Sequence, residues 1–288
     1  MTAEPAEPAE LAEVDHRRHV SDYFRLERRE IPAEGGSDQP SSMSGRAPIE
    51  PHHCGAGGGL RTGGLLTNLD SIGGLTSGLA VHPKWIVTTS LMATVSELAH
   101  VGPLRLRADV RRRGRASVVT AIEVVDEGAQ SRQVAAAIMT CAVLDPGAMT
   151  LGFERPIVLA MPEPQTDPLS ITDFFCIEPG TGPVTRLRLE DQLRNPWGIL
   201  HGGAVAMLAD EAACRAAAAA SDEGVGTSGL AAADTVLHYL RPVKVGPVEA
   251  RCRVIGTRGG RTAVRVAIHD VGADDRMVTL ASVTVLSV

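Results

Sequence analysis

The chain has 288 residues, a formal net charge of −6, 44% apolar and 22% charged residues, and only 3% aromatics. These are the proportions of a globular protein long enough for two domains. No basic surplus marks it for nucleic acid, and no apolar run reaches the roughly 18 residues that a membrane-spanning helix needs.

Residues 1–19, with repeated Ala-Glu-Pro and few apolar side chains, are expected to be disordered. Met1 to Glu13 lacks the basic-then-apolar order of a signal peptide, so a cytoplasmic protein is expected. A first domain is expected over 20–145. Tyr23 to Leu26 is a short strand candidate and Ile31 to Pro48, rich in Gly, Ser and Pro, a long loop. Gly-rich residues 55–64 lead into an apolar segment, Leu65 to Leu79, with helical spacing interrupted by Gly73, Gly74 and Gly78. Strands are expected over 85–95, 104–111, 116–125 and 134–144.

A proline-bearing linker, 146–169, separates this domain from a second over 170–288. Here 174–178 and 184–189 are expected strands. A helix follows over 204–220, with apolar Ala204, Val205, Leu208, Ala209 and Ala212 on one face and Asp210 among them. An ionised carboxylate in such a setting is costly unless something uses it. Strands are expected over 230–240, 248–255, 263–269 and 277–288.

The two domains are copies of one pattern. Val101-Gly102-Pro103 matches Val245-Gly246-Pro247, Gly114-Arg115 matches Gly260-Arg261, and Gly63-Gly64 is set against Gly202-Gly203. Each copy is strand, loop, Gly-Gly, helix and four antiparallel strands. That is an α+β arrangement, and the copies are expected to pack as a pseudo-dimer.

Five cysteines (54, 141, 176, 214 and 252) form no C-x-x-C pair and read as small core residues. Cys214 shares a helix face with Asp210, but no histidine is placed to activate it. His52-His53-Cys54 lacks the second half of a zinc site, so no metal is expected.

The motif Asn195-(x5)-His201-Gly202-Gly203-(x6)-Asp210, with Tyr239-Leu240-Arg241-Pro242 after it, resembles that of the hotdog-fold acyl-CoA thioesterases of the phenylacetate-degradation type. The resemblance implies two tandem hotdog domains, each a sheet wrapped around a helix, and a thioester-hydrolysing site where the two meet. It implies an acyl-CoA substrate, no cofactor beyond the substrate's coenzyme A, and a higher homo-oligomer of pseudo-dimers. In role, it makes Gly202 the oxyanion donor, has His201 and Asn195 orient the thioester or water, and makes Asp210 the base or nucleophile.

The resemblance further implies that each site combines a helix start from one copy with a carboxylate from the other, which fits a Gly lying about 10 Å from the Asp two turns on along its own helix. Aligned on Gly-Gly, Thr62 stands for His201, the Asn195 position falls near Gly55 or Ala56, and Ser71 rather than Asp70 stands for Asp210. One site would then combine Asn195, His201, Gly202 and Gly203 with Asp70 or Ser71. The other would combine Asp210 with Thr62, Gly63 and Gly64. Some members carry a Ser or Thr on the strand after the helix, where the second copy has Ala231-Ala232-Ala233. Two rival readings are a non-catalytic binder of acyl thioesters and an enoyl-CoA hydratase-like enzyme. The latter is the weaker, because the chain lacks that motif's Asp before Asn195 and its His after Pro196.

Overall fold

A computed structural model describes residues 19–32, 41–55, 57–145, 155–181, 183–221 and 227–288. The expected disorder of 1–18, and linker residues 146–154, lie outside the described residues.

Each half is an antiparallel sheet wrapped around one long helix. The first half contains α1 (Val20–Tyr23), β1 (Glu27–Ile31), β2 (Ser42–Ala47), α2 (Thr62–Val81), β3 (Trp85–Val95), β4 (Leu104–Arg113), β5 (Ser117–Asp126) and β6 (Arg132–Leu144). The connecting segment adds β7 (Val158–Leu159). The second half repeats the plan with α3 (Ile171–Phe174), β8 (Ile177–Pro179), β9 (Val184–Leu187), α4 (Gly202–Ala219), β10 (Leu230–Tyr239), β11 (Val248–Arg258), β12 (Arg261–Asp270) and β13 (Arg276–Ser287).

The two sheets join edge to edge through β3 and β10, with Leu237 opposite Leu91 and Thr235 opposite Ala93. The result is one 13-stranded sheet in the order β7-β1-β2-β4-β5-β6-β3-β10-β13-β12-β11-β9-β8. Both helices lie on its inner side. A Cβ at Gly73 would lie 2.8 Å from Ile122 Cδ1 of β5, which shows how closely α2 rests on its sheet. Of the three glycines that weaken the helical pattern, Gly73 is therefore the one that lets the helix sit there, whereas a Cβ at Gly74 would meet nothing within 4 Å.

Three expectations are corrected. Residues 23–26 are not a strand: α1 ends at Tyr23, and Arg25 turns the chain at φ 51 before β1 begins. Likewise 174–176 finishes α3 and turns at Cys176 (φ 53) before β8. Part of the expected 31–48 loop is β2, a polar strand paired on both edges with β1 and β4. The linker is not wholly irregular either, since its Val158 and Leu159 pair with Arg29 and Arg28 of β1.

Candidate active site at the helix pair

Helices α2 and α4 cross antiparallel at glycines. A Cβ at Gly63 would lie 2.8 Å from Met207 Cα, and one at Gly203 would lie 2.7 Å from Thr67 Cα. Those two contacts are related by an offset of 140 residues: Gly63 corresponds to Gly203, and Thr67 to Met207. The loops before the helices obey the same offset. The Gly55 N–H donates to Gly59 O at 2.9 Å, and the Asn195 N–H to Ile199 O at 2.8 Å. Cys54 bridges Leu60 as Arg194 bridges Leu200.

The alignment on Gly63-Gly64 and Gly202-Gly203 is therefore one residue out. Arg61 stands for His201, each the residue capping its helix. Thr62 stands for Gly202, Gly55 for Asn195, and Asp70, not Ser71, for Asp210. Gly64 belongs to neither site: its absent side chain makes room for Phe24 and Ile171 at 3.0 Å.

At the first site α4 begins against Asp70. The Gly203 N–H donates to Asp70 Oδ2 at 2.9 Å and to His201 Nδ1 at 3.0 Å. The Thr88 hydroxyl of β3 donates to Asp70 Oδ1 at 3.1 Å. A Cβ at Gly202 would lie 2.7 Å from Asp70 Oδ2, so only glycine lets the helix start touch the carboxylate. Tyr239 Oη donates to Gly202 O at 3.0 Å and fixes that peptide from behind.

Burial raises the Asp70 carboxyl to about 6, while the Thr88 hydroxyl and Gly203 N–H pull it down. Burial lowers His201 to about 4, assisted by the positive charge of Arg28. His201 is therefore neutral when Asp70 ionises, and its 3.3 Å approach to Asp70 Oδ2 is not an ion pair at neutral pH. Because His201 Nδ1 accepts from Gly203, the ring proton is assigned to Nε2.

At the second site Asp210 is equally buried but otherwise engaged. Arg61 Nε donates to Asp210 Oδ2 at 2.9 Å, and the same guanidinium pairs with Glu211. Burial lowers the Arg61 pKa, but the charges of Asp210 and Glu211 outweigh it and hold the pKa above its ordinary value. Arg215, one turn further along α4, bonds Glu211. Thr62 Oγ1 donates to Ala232 O at 2.7 Å, and Ala232 is the counterpart of Thr88, so this site has no hydroxyl there. A small opening at this end is lined by Gly55, Gly57, Arg61, Thr62, Asp210 and Cys214.

Asn195 is not brought into contact with Asp70. Its side-chain carbonyl accepts from the Trp197 and Ile199 N–H groups at 3.0 and 3.4 Å, closing the loop ahead of His201. Trp197 on that loop packs against Trp85 of the first half. Ser71 is buried, and its hydroxyl has no partner. Arg61 and Thr88 were not singled out from the sequence, and Tyr239 only as part of a matching run. Correct register would have exposed Arg61 as the residue replacing a histidine. Thr88 lies on the strand where a hydroxyl was sought, but in the other copy.

Glu50, His52 and His53 bring their possible ligand atoms within 4.8 Å of one another, and His53 is engaged with the backbone. Its Nε2 meets Tyr23 O at 2.9 Å and its Nδ1 accepts from the Glu50 N–H at 3.3 Å, which leaves no ring nitrogen to ligate. Among the described residues, no helix is long and apolar enough to cross a membrane.

Residues 198–275 match the model of the thioesterase superfamily. No curated protein matches the chain. Among solved structures, the chain is similar to the tesB protein of Mycobacterium avium subspecies paratuberculosis, with a TM-score of 0.62 and 12% identity, covering 93% of this chain and 98% of that one. It is also similar to an acyl-ACP thioesterase from Bacteroides thetaiotaomicron (TM-score 0.55, 12% identity, 85% and 97% covered). A third is the acyl-CoA thioesterase II TesB2 from Mycobacterium marinum (TM-score 0.52, 13% identity, 93% and 98% covered). Sheet, paired helices and these likenesses agree: the chain is a fused double hotdog whose second half carries the match to the thioesterase superfamily.

Proposed function

We propose that the chain hydrolyses an acyl thioester, an acyl-CoA or a close equivalent, at the Asp70 site, using no metal or prosthetic group. One observation carries the reading: the Asp70 carboxylate is held against the start of the opposing helix by backbone and hydroxyl donors, with no lysine or arginine among the described residues bound to it. Its counterpart Asp210 is occupied by Arg61.

In this reading the thioester carbonyl oxygen lies at the N-terminus of α4. There the Gly202 N–H and the helix dipole stabilise the charge that develops on it. Asp70 takes a proton from water as the water oxygen attacks the carbonyl carbon. The tetrahedral intermediate collapses, the C–S bond breaks, and the leaving sulfur takes a proton back from Asp70. Thr88 keeps the carboxylate ionisable near neutral pH and aims it. Neutral His201 offers its Nε2 proton to the substrate while its Nδ1 fixes the helix start. Asn195 shapes the loop. Asp210, Thr62 and Gly63 serve the packing of the two halves.

The test is release of free thiol from a panel of acyl-CoAs, with Asp70→Asn expected to abolish turnover and Asp210→Asn to keep it. Loss from Asp210→Asn alone would move the site to the other end of the helix pair. Binding without hydrolysis of any member would favour the second reading, a non-catalytic acyl-thioester binder, to which the Arg61–Asp210 pair lends support.

A further inference from the structure

Arg28 is a largely buried cation that forms no ion pair with a carboxylate among the described residues. On β1, alternation turns Arg28 to the same face as buried Leu26, while Glu27 and Arg29 pair with each other on the opposite face. The Arg28 Nε is buried without a hydrogen-bond partner, and no carboxylate among the described residues forms an ion pair with it. Burial lowers its pKa, and the nearby charge of Asp22 offsets this only in part. The contrast is Arg61, also enclosed, which has two carboxylates.

Arg28 lies opposite Gly45 of β2, which rests on Ile72 of α2, two residues on from Asp70, and two observations tie this segment to His201. The Arg28 charge acts on the His201 imidazole. His19, from the same N-terminal segment, packs edge-on against the His201 ring with centroids 5.8 Å apart. A guanidinium Nε–H removed from water with no acceptor is costly. Five donors in a planar fork suit a carboxylate or phosphate, and a substrate lying along His201 would bring one in.

Resting on the thioesterase reading above, we propose that Arg28 binds an anionic group of the substrate, so that the site selects thioesters bearing an acid within reach of His201. The acid is either a carboxylate on the acyl chain or a phosphate of the carrier.

The test compares wild type, Arg28→Gln and Arg28→Lys on four thioesters: a straight-chain acyl-CoA, the ω-carboxyacyl-CoA of equal length, and the N-acetylcysteamine thioester of each. Loss of one charge-assisted contact should lower selectivity for the acid-bearing substrate, as a ratio of kcat/KM values, by about 10- to 100-fold. A fall in the ω-carboxy to straight-chain ratio on both carriers assigns the acid to the acyl group. A fall in the coenzyme A to N-acetylcysteamine ratio for both acyl chains assigns it to the carrier. Arg28→Lys, which keeps charge but not the fork, should fall between and serves if the glutamine variant does not fold. Unchanged ratios in both variants overturn the proposal.

If wild type hydrolyses none of the four, the thioesterase reading fails and the Arg28 proposal is read from binding instead. A rise in Tm with ω-carboxyacyl-CoA that is lost in Arg28→Gln supports it, and an equal rise in both overturns it.

Discussion

Arg61 and His201 occupy the same position in the two halves, each capping the helix that faces the other half's aspartate, and they give those aspartates opposite fates. Arg61 binds Asp210 through Nε at 2.9 Å. His201, neutral and 3.3 Å from Asp70 Oδ2, leaves that carboxylate to the Gly203 N–H and Thr88. A pseudo-symmetric pair of carboxylates thus becomes one held by neutral donors and one held in a salt bridge.

The two aspartates should therefore separate in a mutant pair. Asp70→Asn removes the proton acceptor and should lower kcat by about 10²- to 10⁴-fold with little change in Tm. Asp210→Asn should retain turnover and lower Tm, because Arg61 keeps only Glu211. Steady-state kinetics and thermal melts of both variants check this.

Arg61→Leu leaves two buried carboxylates without their shared cation. Breaking a buried pair from one side costs about 3–5 kcal/mol, and Arg215 still holds Glu211, so a loss at the lower end is expected in denaturant unfolding. Turnover per folded molecule should be retained, since Arg61 touches nothing at the Asp70 end.

Gly202→Ala would set a methyl group 2.7 Å from Asp70 Oδ2. The carboxylate or the helix start must shift, and the donor aimed at the carbonyl oxygen shifts with it. Losing one such donor costs about 10²- to 10³-fold in kcat. A variant with near wild-type kcat would remove Gly202 from the mechanism.

The pH profile follows from the shifted groups. With Asp70 raised to about 6, kcat/KM should climb with pH through about 6 and level above it. Thr88→Val removes a bond that favours the carboxylate, so the midpoint should move upward. Stability combines opposing contributions. Asp70 holds its proton more tightly folded than unfolded, so its contribution is lost as pH rises from 3.8 to about 6. His201 and His53, each lowered to about 4 mainly by burial, hold theirs less tightly folded, so their contribution is lost as pH falls from 6.5 to about 4. His52, also lowered by burial, and carboxylates held below their ordinary values, such as Asp126 and Glu249, act in the same sense, so Tm should fall on acidification through this window. Asp70→Asn should steepen the fall, because the opposing contribution is gone.

The repeat, the helices and most strands were legible because apolar periodicity and Gly-Pro turns recur in both halves. Register at the site was not. Gly63-Gly64 and Gly202-Gly203 look alike as letters but do different work. One glycine of each pair, Gly63 and Gly203, meets the opposing helix. The other lies before it in the second half, against Asp70, and after it in the first, against Phe24. Small residues record that space is needed and not which neighbour needs it. Arg61 was illegible for a related reason: its partner is 149 residues away in sequence, on another helix. The polar strand β2 lacked apolar alternation because its neighbours on either side supply its order.

The β3–β10 seam joins two copies that are covalently one chain, and this has a consequence for divergence. In an assembly of identical subunits, any change at the cap position would appear at both ends of the helix pair at once, and an arginine there would close every site. Here each cap is encoded separately. One end could take a salt bridge that strengthens the union of the halves while the other kept a neutral imidazole beside its acid. Duplication within a single gene frees one helix-cap position to become a fastener.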